Sequence, residues 1–436
     1  VYTRLAVSNP CIRANAVLPL ILELTTLKPS PGLKRGIGRW LRAIVLALYV
    51  LAFLGLAYDT PNSLAFCTHR LVREDLFVPL HWMVGALLSP SGFAKLAPGD
   101  VEQVRQAFEL RTEAQRLEQE VARRYALSAY IDPELVEAYI EAETQANALE
   151  PVLLSTISSQ VGDELKEEGL SLIPGWLVPP VNFRFSPLPY ALILSPRDRI
   201  QRTLSVMLRG DLTLIEIEDI EDRVAQLGYS TLVVPIGGLG TYPSMLPRAT
   251  DLPYTLRTVA HEWAHHYFFF RPLGWRYGLG IESEGEVIAI NETAAGYVGR
   301  EIGGRVDFKY YGGQPPEASE GDDHQPTGQA DEFSLLMRQT RQAVDTLLAA
   351  GQIEEAERYM ERQRFYLADR GYHIRKLNQA YFAFYGSYAD TPAFASPLGE
   401  NIRRLRQASP SLRSFVERIG GMSSISDLQK VLQEIP

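Results

Sequence analysis

The residues best placed to do chemistry are His261, Glu262 and His265, in the run His261-Glu262-Trp263-Ala264-His265. On a helix, positions i and i+4 lie one turn apart on one face, so both imidazoles can reach a single metal ion. Neutral imidazole is a good ligand for Zn2+. A glutamate beside the first histidine is placed to work as a base on a water held by that ion. Of the seven histidines in the chain, only this pair has metal-ligand spacing. His266 sits about 100° further round the helix and faces away from the metal, a structural position.

The helix that must carry these residues has clear ends. Asp251 is an N-cap, Pro253 suits the first turn, and Pro272 and Gly274 stop it. Between them, Tyr254–Phe270 is apolar on most sides, which predicts a buried helix. Two histidines and a glutamate buried there need partners, and a metal with its water supplies them. Catalytic zinc usually has three protein ligands and an open fourth position. The third ligand expected is Glu292, in Asn291-Glu292-Thr293-Ala294-Ala295-Gly296, with Glu286 and Glu301 as alternatives. That segment reads as a second helix, small on one side, which would let it pack close to the first.

This arrangement resembles the gluzincin metallopeptidases, the thermolysin-like group of zincins, whose second helix carries an Asn-Glu pair with the glutamate as ligand. Many of those enzymes have an aspartate four residues later that orients a zinc ligand; this chain has Gly296. A narrower resemblance, over the later part of the chain, is to a family of bacterial membrane-associated proteins described as predicted aminopeptidases. It rests on Leu239-Gly240-Thr241-Tyr242-Pro243-Ser244-Met245-Leu246, on the His-Glu helix, on Asn291-Glu292-Thr293, and on Lys376-Leu377-Asn378-Gln379-Ala380 followed by Phe384-Tyr385-Gly386-Ser387-Tyr388. The family leads one to expect an acid a turn or two after the ligand glutamate, where Gly299 and Arg300 stand. The resemblance implies a zinc peptidase more firmly than it implies an aminopeptidase.

The surrounding elements fit an α+β fold: a mainly helical zincin-like domain with a small sheet preceding the metal-binding helix. Val181–Phe185, Tyr190–Leu194, Leu212–Ile217 and Thr231–Pro235 read as strands, and Asp219–Gly228 as a helix. In such domains an extended substrate pairs with a sheet edge, and Gly237–Tyr242 is the candidate edge. Gly240, Thr241 and Tyr242 are therefore expected to bind substrate, as is Asn378, in a Leu377–Tyr388 segment expected to return to the active site. Residues Pro98–Glu168 show helical periodicity. Glu332–Ala350 and Ile353–Arg370 read as a solvated hairpin joined at Gly351, after a polar Gly312–Ala330 loop containing His324.

Ala43–Tyr58 is a run of 16 uncharged residues preceded by Lys28, Lys34, Arg35, Arg39 and Arg42. It reads as a membrane helix with its N-terminal side cytoplasmic and the catalytic part outside, which the resemblance would place in a bacterial cell envelope; a cleaved signal peptide is the rival reading and a buried soluble helix the third. The organisation expected is thus a tail at 1–39, an anchor or signal segment at 40–58, a helical stalk or packing region at 59–170, and a catalytic domain at 171–436. The net charge of −9 gives no sign of a nucleic-acid partner. The two cysteines, Cys11 and Cys67, lie outside the metal region, so there is no cysteine zinc site.

The function expected is zinc-dependent hydrolysis of a peptide or protein substrate. His261, His265 and Glu292 hold Zn2+, water occupies the fourth position, and Glu262 acts as general base and then delivers the proton to the leaving amine. Tyr388 is the first candidate for a donor to the oxyanion, with His373 second. The alternative is a membrane-anchored binding or scaffold protein with a non-catalytic zinc site; the Glu inside the motif argues against it, because a structural site needs no base.

Overall fold

The computed structural model describes residues 63–88, 98–127, 132–173, 175–248, 250–274, 285–314, 328–386 and 398–434. The expected membrane segment, the tail before it, Tyr388 and His324 lie outside the described residues. Among the described residues no helix is long and apolar enough to cross a membrane.

The fold is mixed and mostly helical. In chain order the elements are α1 (Leu64–Leu71), α2 (Pro79–Leu88), α3 (Val101–Ala126), α4 (Pro133–Glu167), β1 (Phe183–Phe185), β2 (Tyr190–Pro196), β3 (Leu204–Leu208), α5 (Leu214–Ala225), β4 (Tyr229–Pro235) and β5 (Ser244–Leu246). Then come α6 (Leu252–Phe269), α7 (Gly285–Val306), α8 (Gly328–Ala349), α9 (Ile353–Ala368), α10 (Gln379–Tyr385), α11 (Leu398–Gln407), α12 (Leu412–Gly420) and α13 (Ile425–Gln433).

Strands β3, β2 and β4 form an antiparallel sheet in that order, with Leu192 opposite both Val206 and Val233. Side chains alternate across it, as period two requires. Leu192, Leu194, Val206 and Val233 pack with Ile217, Ile220 and Val224 of α5. Ala191, Ile193, Leu232 and Val234 pack with Ala380 and Phe384 of α10 on the other face. A central strand buried on both faces accounts for the continuous apolar run Ala191-Leu192-Ile193-Leu194.

The outer edge of β4 is closed by side chains. The Val233 N–H donates to the buried Glu221 carboxylate at 2.7 Å, while the Val233 carbonyl accepts from Arg375 at 3.2 Å. The Thr231 carbonyl accepts from Asn378 Nδ2 at 2.9 Å. Glu221, 1 % exposed, is itself paired with Arg375 and Lys376. Side chains thus cover much of this edge over Thr231–Val233, which leaves another chain little to pair with.

One expected strand is a helix start. Leu212–Ile217 alternates in hydropathy, but Thr213 and Glu216 form a reciprocal capping box that opens α5, leaving Leu214 and Ile215 exposed. The third strand is instead Leu204–Leu208, whose inward residues Val206 and Leu208 are buried.

The helix that carries His261 and His265, α6, belongs to a second layer. α3, α4, the parallel pair β1–β5, α6, α7 and α11 to α13 share one apolar core, with Trp263, Tyr267 and Phe268 of α6 fully buried in it. Val104, Phe108, Leu153, Ile157, Val161 and Leu165 belong to that same core, so no break between cores falls at residue 170. Ion pairs Arg305–Glu168 (2.5 Å) and Lys309–Glu164 (2.6 Å) bind the end of α4 to the end of α7 and the turn after it. Within this layer the far part of the α3–α4 hairpin stands apart, with its own small cluster of Ala114, Leu117 and Ala142, and α8 and α9 pack around a separate core of Met337, Val344, Leu348, Ala356, Met360 and Leu367.

Candidate metal centre

Two helices make the site. α6 starts as expected: Asp251 accepts from the Tyr254 N–H at 2.7 Å, and a proline lies in the first turn. It ends at Phe269. α7 lies against it unusually closely, for a steric reason. A Cβ on Gly303 would sit 2.7 Å from the Cα and N of Arg257, and one on Gly299 would sit 2.8 Å from the Arg257 carbonyl oxygen and 3.1 Å from His261 Cβ. Only glycine fits between those backbones, and the close approach carries the root of Glu292 to the two histidines. At 299 there is accordingly no room for a side chain, an acid included.

His261, His265 and Glu292 converge. His261 Nε2 is 3.1 Å from His265 Nε2, and Glu292 Oε2 is 3.5 Å from the first and 3.6 Å from the second. Donors about 2.0–2.2 Å from one tetrahedral ion stand about 3.3–3.6 Å apart; both contacts of Glu292 fall in that range, and the histidine pair at 3.1 Å is a little closer. Glu292 is 7 % exposed, and the His261 side chain, at 23 %, is the most open of the three. These three residues could hold a metal ion. The weaker alternatives do not join them: Glu301 is paired with Arg406 at 2.6 Å, and Glu286 is exposed.

Asn291, 1 % exposed, supplies the orienting contact that Gly296 does not. Its Oδ1 lies 2.8 Å from His265 Nδ1, and its Nδ2 points to the Leu273 carbonyl at 3.5 Å. The carbonyl can only accept, so both contacts agree on which way the amide faces. Oδ1 then holds the proton on Nδ1 and leaves Nε2 as the ligand atom. The Asn-Glu pair was visible in the sequence; that Asn291 reaches back to His265 was not.

Charges in the pocket are strongly coupled. Burial raises the pKa of Glu262, as does the nearby Glu292, against the pull of His261 and His265. For His265 burial opposes the charged form, but Glu292, with Glu262 and Asn291, outweighs it and lifts the imidazole to about 9. Glu292 resists its own burial and is held well below the usual carboxylate range by His265 and by hydrogen bonds from both histidines. Two buried carboxylates thus create a demand for positive charge that a proton, or a divalent cation, meets.

Residues 237–242 run from β4 across α6. Gly240 lies against Glu262 and His265: its Cβ would be 3.3 Å from His265 Cβ and 3.4 Å from Glu262 Oε2. Thr241 turns its hydroxyl inward to the Pro243 carbonyl at 2.7 Å, and the Tyr242 ring packs edge-on to His266. The bridge Leu239–Met245 joins this segment to the β1–β5 pair beside α6. Asn378 is not brought to the site. It caps α10, accepting from the Tyr381 N–H at 2.9 Å, and reaches Thr231, on the part of β4 remote from this segment. His373 is exposed. No protein-family model, curated protein or solved structure matches the chain.

Proposed function

We propose that this protein is a zinc-dependent hydrolase of peptide bonds, with His261, His265 and Glu292 as the metal ligands and Glu262 as the general base. The observation that carries the reading is a carboxylate that is not a ligand, buried beside three converging ligands. Glu262 is 5 % exposed, and its neighbours are the histidines, Glu292 and two glycines. A site built only to hold a metal has no use for it.

When bound, a zinc ion would act as a Lewis acid that polarises a carbonyl and brings a water's pKa towards about 7. The chain's own residues supply the rest. Burial raises the proton affinity of Glu262, which suits a group that must take a proton and later return it near neutral pH. Glu292 contributes negative charge on the α7 side, and Asn291 keeps the His265 ring in place. Gly238 and Gly240 keep backbone beside Glu262 bare of side chains, which leaves main-chain groups close to the proposed base as candidate partners for an extended substrate.

The test is metal content and peptide cleavage measured together, on the wild type and on Glu262→Gln. Loss of a general base costs about 10²–10⁴-fold in rate. The expected result is one zinc per chain in both proteins, with cleavage lost only in the variant. Zinc bound by a wild type that cleaves no member of a peptide library would make this a binding protein, and full activity in Glu262→Gln would remove Glu262 from the mechanism. Comparing N-blocked with free peptides would then separate endopeptidase from aminopeptidase action.

A further inference from the structure

α6 presents two working faces. His261 and His265 face Glu292 on α7. The row Tyr254, Thr258, Glu262 and His266, at helical i,i+4 spacing, faces residues 237–242. This segment is fastened to α6 at both ends. The Tyr254 hydroxyl donates to the Gly237 carbonyl at 3.1 Å. At the other end His266 Nε2 lies 2.7 Å from the Thr241 carbonyl, which can only accept, so Nε2 carries the proton. The Tyr242 ring closes against the same imidazole, with centroids 5.4 Å apart.

Glu262 lies between these two fasteners. A Cβ on Gly238 would stand 2.2 Å from Glu262 Oε1, 3.0 Å from its Cδ and 3.2 Å from Thr258 Cγ2. Gly238 does not adopt a positive φ, so it is glycine for want of space and not for backbone conformation. The absence of a side chain at 238 is what allows the segment to lie directly on the carboxylate. With the ligand face of α6 on one side and this backbone on the other, Glu262 has one place to stand.

We propose that residues 237–242 form a strap that sets the position of the general base, with Gly238 as the steric determinant and His266 and Tyr254 as positioning residues that hold the strap down. The proposal deepens the peptidase reading and rests on it for its kinetic consequence. It assigns His266 a role distinct from that of its neighbour His265: it holds backbone, not metal. It also separates binding from chemistry, because the strap touches Glu262 and the back of His265 but none of the three ligand atoms.

The experiment uses the full chain as wild type, Gly238→Ala, His266→Phe and His266→Gln. The readouts are zinc stoichiometry, the crystallographic position of Glu262, and cleavage of a peptide that the wild type cuts. In Gly238→Ala the new methyl must open its contact with Oε1 from 2.2 Å to at least 3.0 Å, and the carboxylate should be the part that moves. A misplacement near 1 Å costs about 10²-fold in rate. The expected result is therefore a displaced Glu262, unchanged zinc content, and kcat down by about 10²-fold with KM within about threefold. His266→Phe should lower kcat in the same manner, and His266→Gln, whose amide can still donate to Thr241, should recover most of it. The proposal is overturned if Glu262 stays in place in Gly238→Ala, if kcat is unchanged there, or if zinc is lost together with activity. A wild type that binds zinc and cleaves nothing would end the peptidase reading alone; the position of Glu262 in Gly238→Ala would still decide the strap.

Discussion

Replacing Asn291 with leucine, nearly the same size, removes the acceptor that faces His265 Nδ1 at 2.8 Å. The site is 1 % exposed, so water does not replace the lost oxygen. An unsatisfied buried donor costs about 1–3 kcal/mol. If Nδ1 gives up its proton instead, Nε2 becomes the protonated nitrogen and stops being a ligand atom. Either route weakens metal binding, and the same range appears in the general rule that outer partners of metal-bound histidine are worth about 10–100-fold in affinity. The expected outcome for Asn291→Leu is thus a 10–100-fold weaker zinc affinity, about 1.4–2.7 kcal/mol. Competition against a chromophoric chelator at fixed pH measures it, with circular dichroism and a thermal melt to establish folding. Asn291→Asp serves as the converse, since a carboxylate accepts more strongly and adds charge, so its affinity should equal or exceed the wild type's. A folded Asn291→Leu protein with wild-type affinity would refute the orienting role.

Zinc affinity should rise with pH. In the metal-free protein His265 keeps its proton up to about 9, whereas a ligand imidazole must be neutral. Below that pH the metal displaces a proton, so affinity falls about tenfold per pH unit, and calorimetry in buffers of different ionisation enthalpy should register proton release at pH 7. Affinity that is flat between pH 7 and 9 would count against it. Two glycines of α7 should respond oppositely to alanine. Gly303→Ala drives a methyl into the Arg257 backbone and should lower stability by about 1–3 kcal/mol, whereas Gly296→Ala, whose nearest neighbour is Arg300 Nη1 at 3.7 Å, should raise it by up to about 1 kcal/mol through helix propensity. Denaturant melts of both would expose an error if the signs agreed. The far part of the α3–α4 hairpin has few buried side chains, so its amides should exchange with deuterium orders of magnitude faster than those of α6; equal protection would show that it is held by more than its own cluster.

Much of the site was legible because its signals are local. The spacing of His261 and His265, the Asp251 cap and the small residues around Glu292 all act within one helix, where geometry repeats every few residues. The same locality made the α6 boundaries and the Gly351 hairpin readable. Where local signals conflicted, the reading went astray at Leu212–Ile217: alternation spoke for a strand, while Thr213 and Glu216, three apart, spelled a capping box that decided for a helix. The inward pair Val206 and Leu208 in β3 carried the opposite clue, a short run easily passed over.

By itself, then, the sequence determined which residues could bind a metal and which helix would carry Glu262 beside them. Tertiary structure alone decided what those residues meet. That Asn291 turns back to His265, that Gly299 and Gly303 let α7 lie on α6, that Gly238 bears on Glu262 more tightly than Gly240 does, and that Asn378 reaches β4 are all contacts between distant segments. Such contacts depend on how closely two backbones pack and on where a sheet edge is left open, and no periodicity along the chain encodes either.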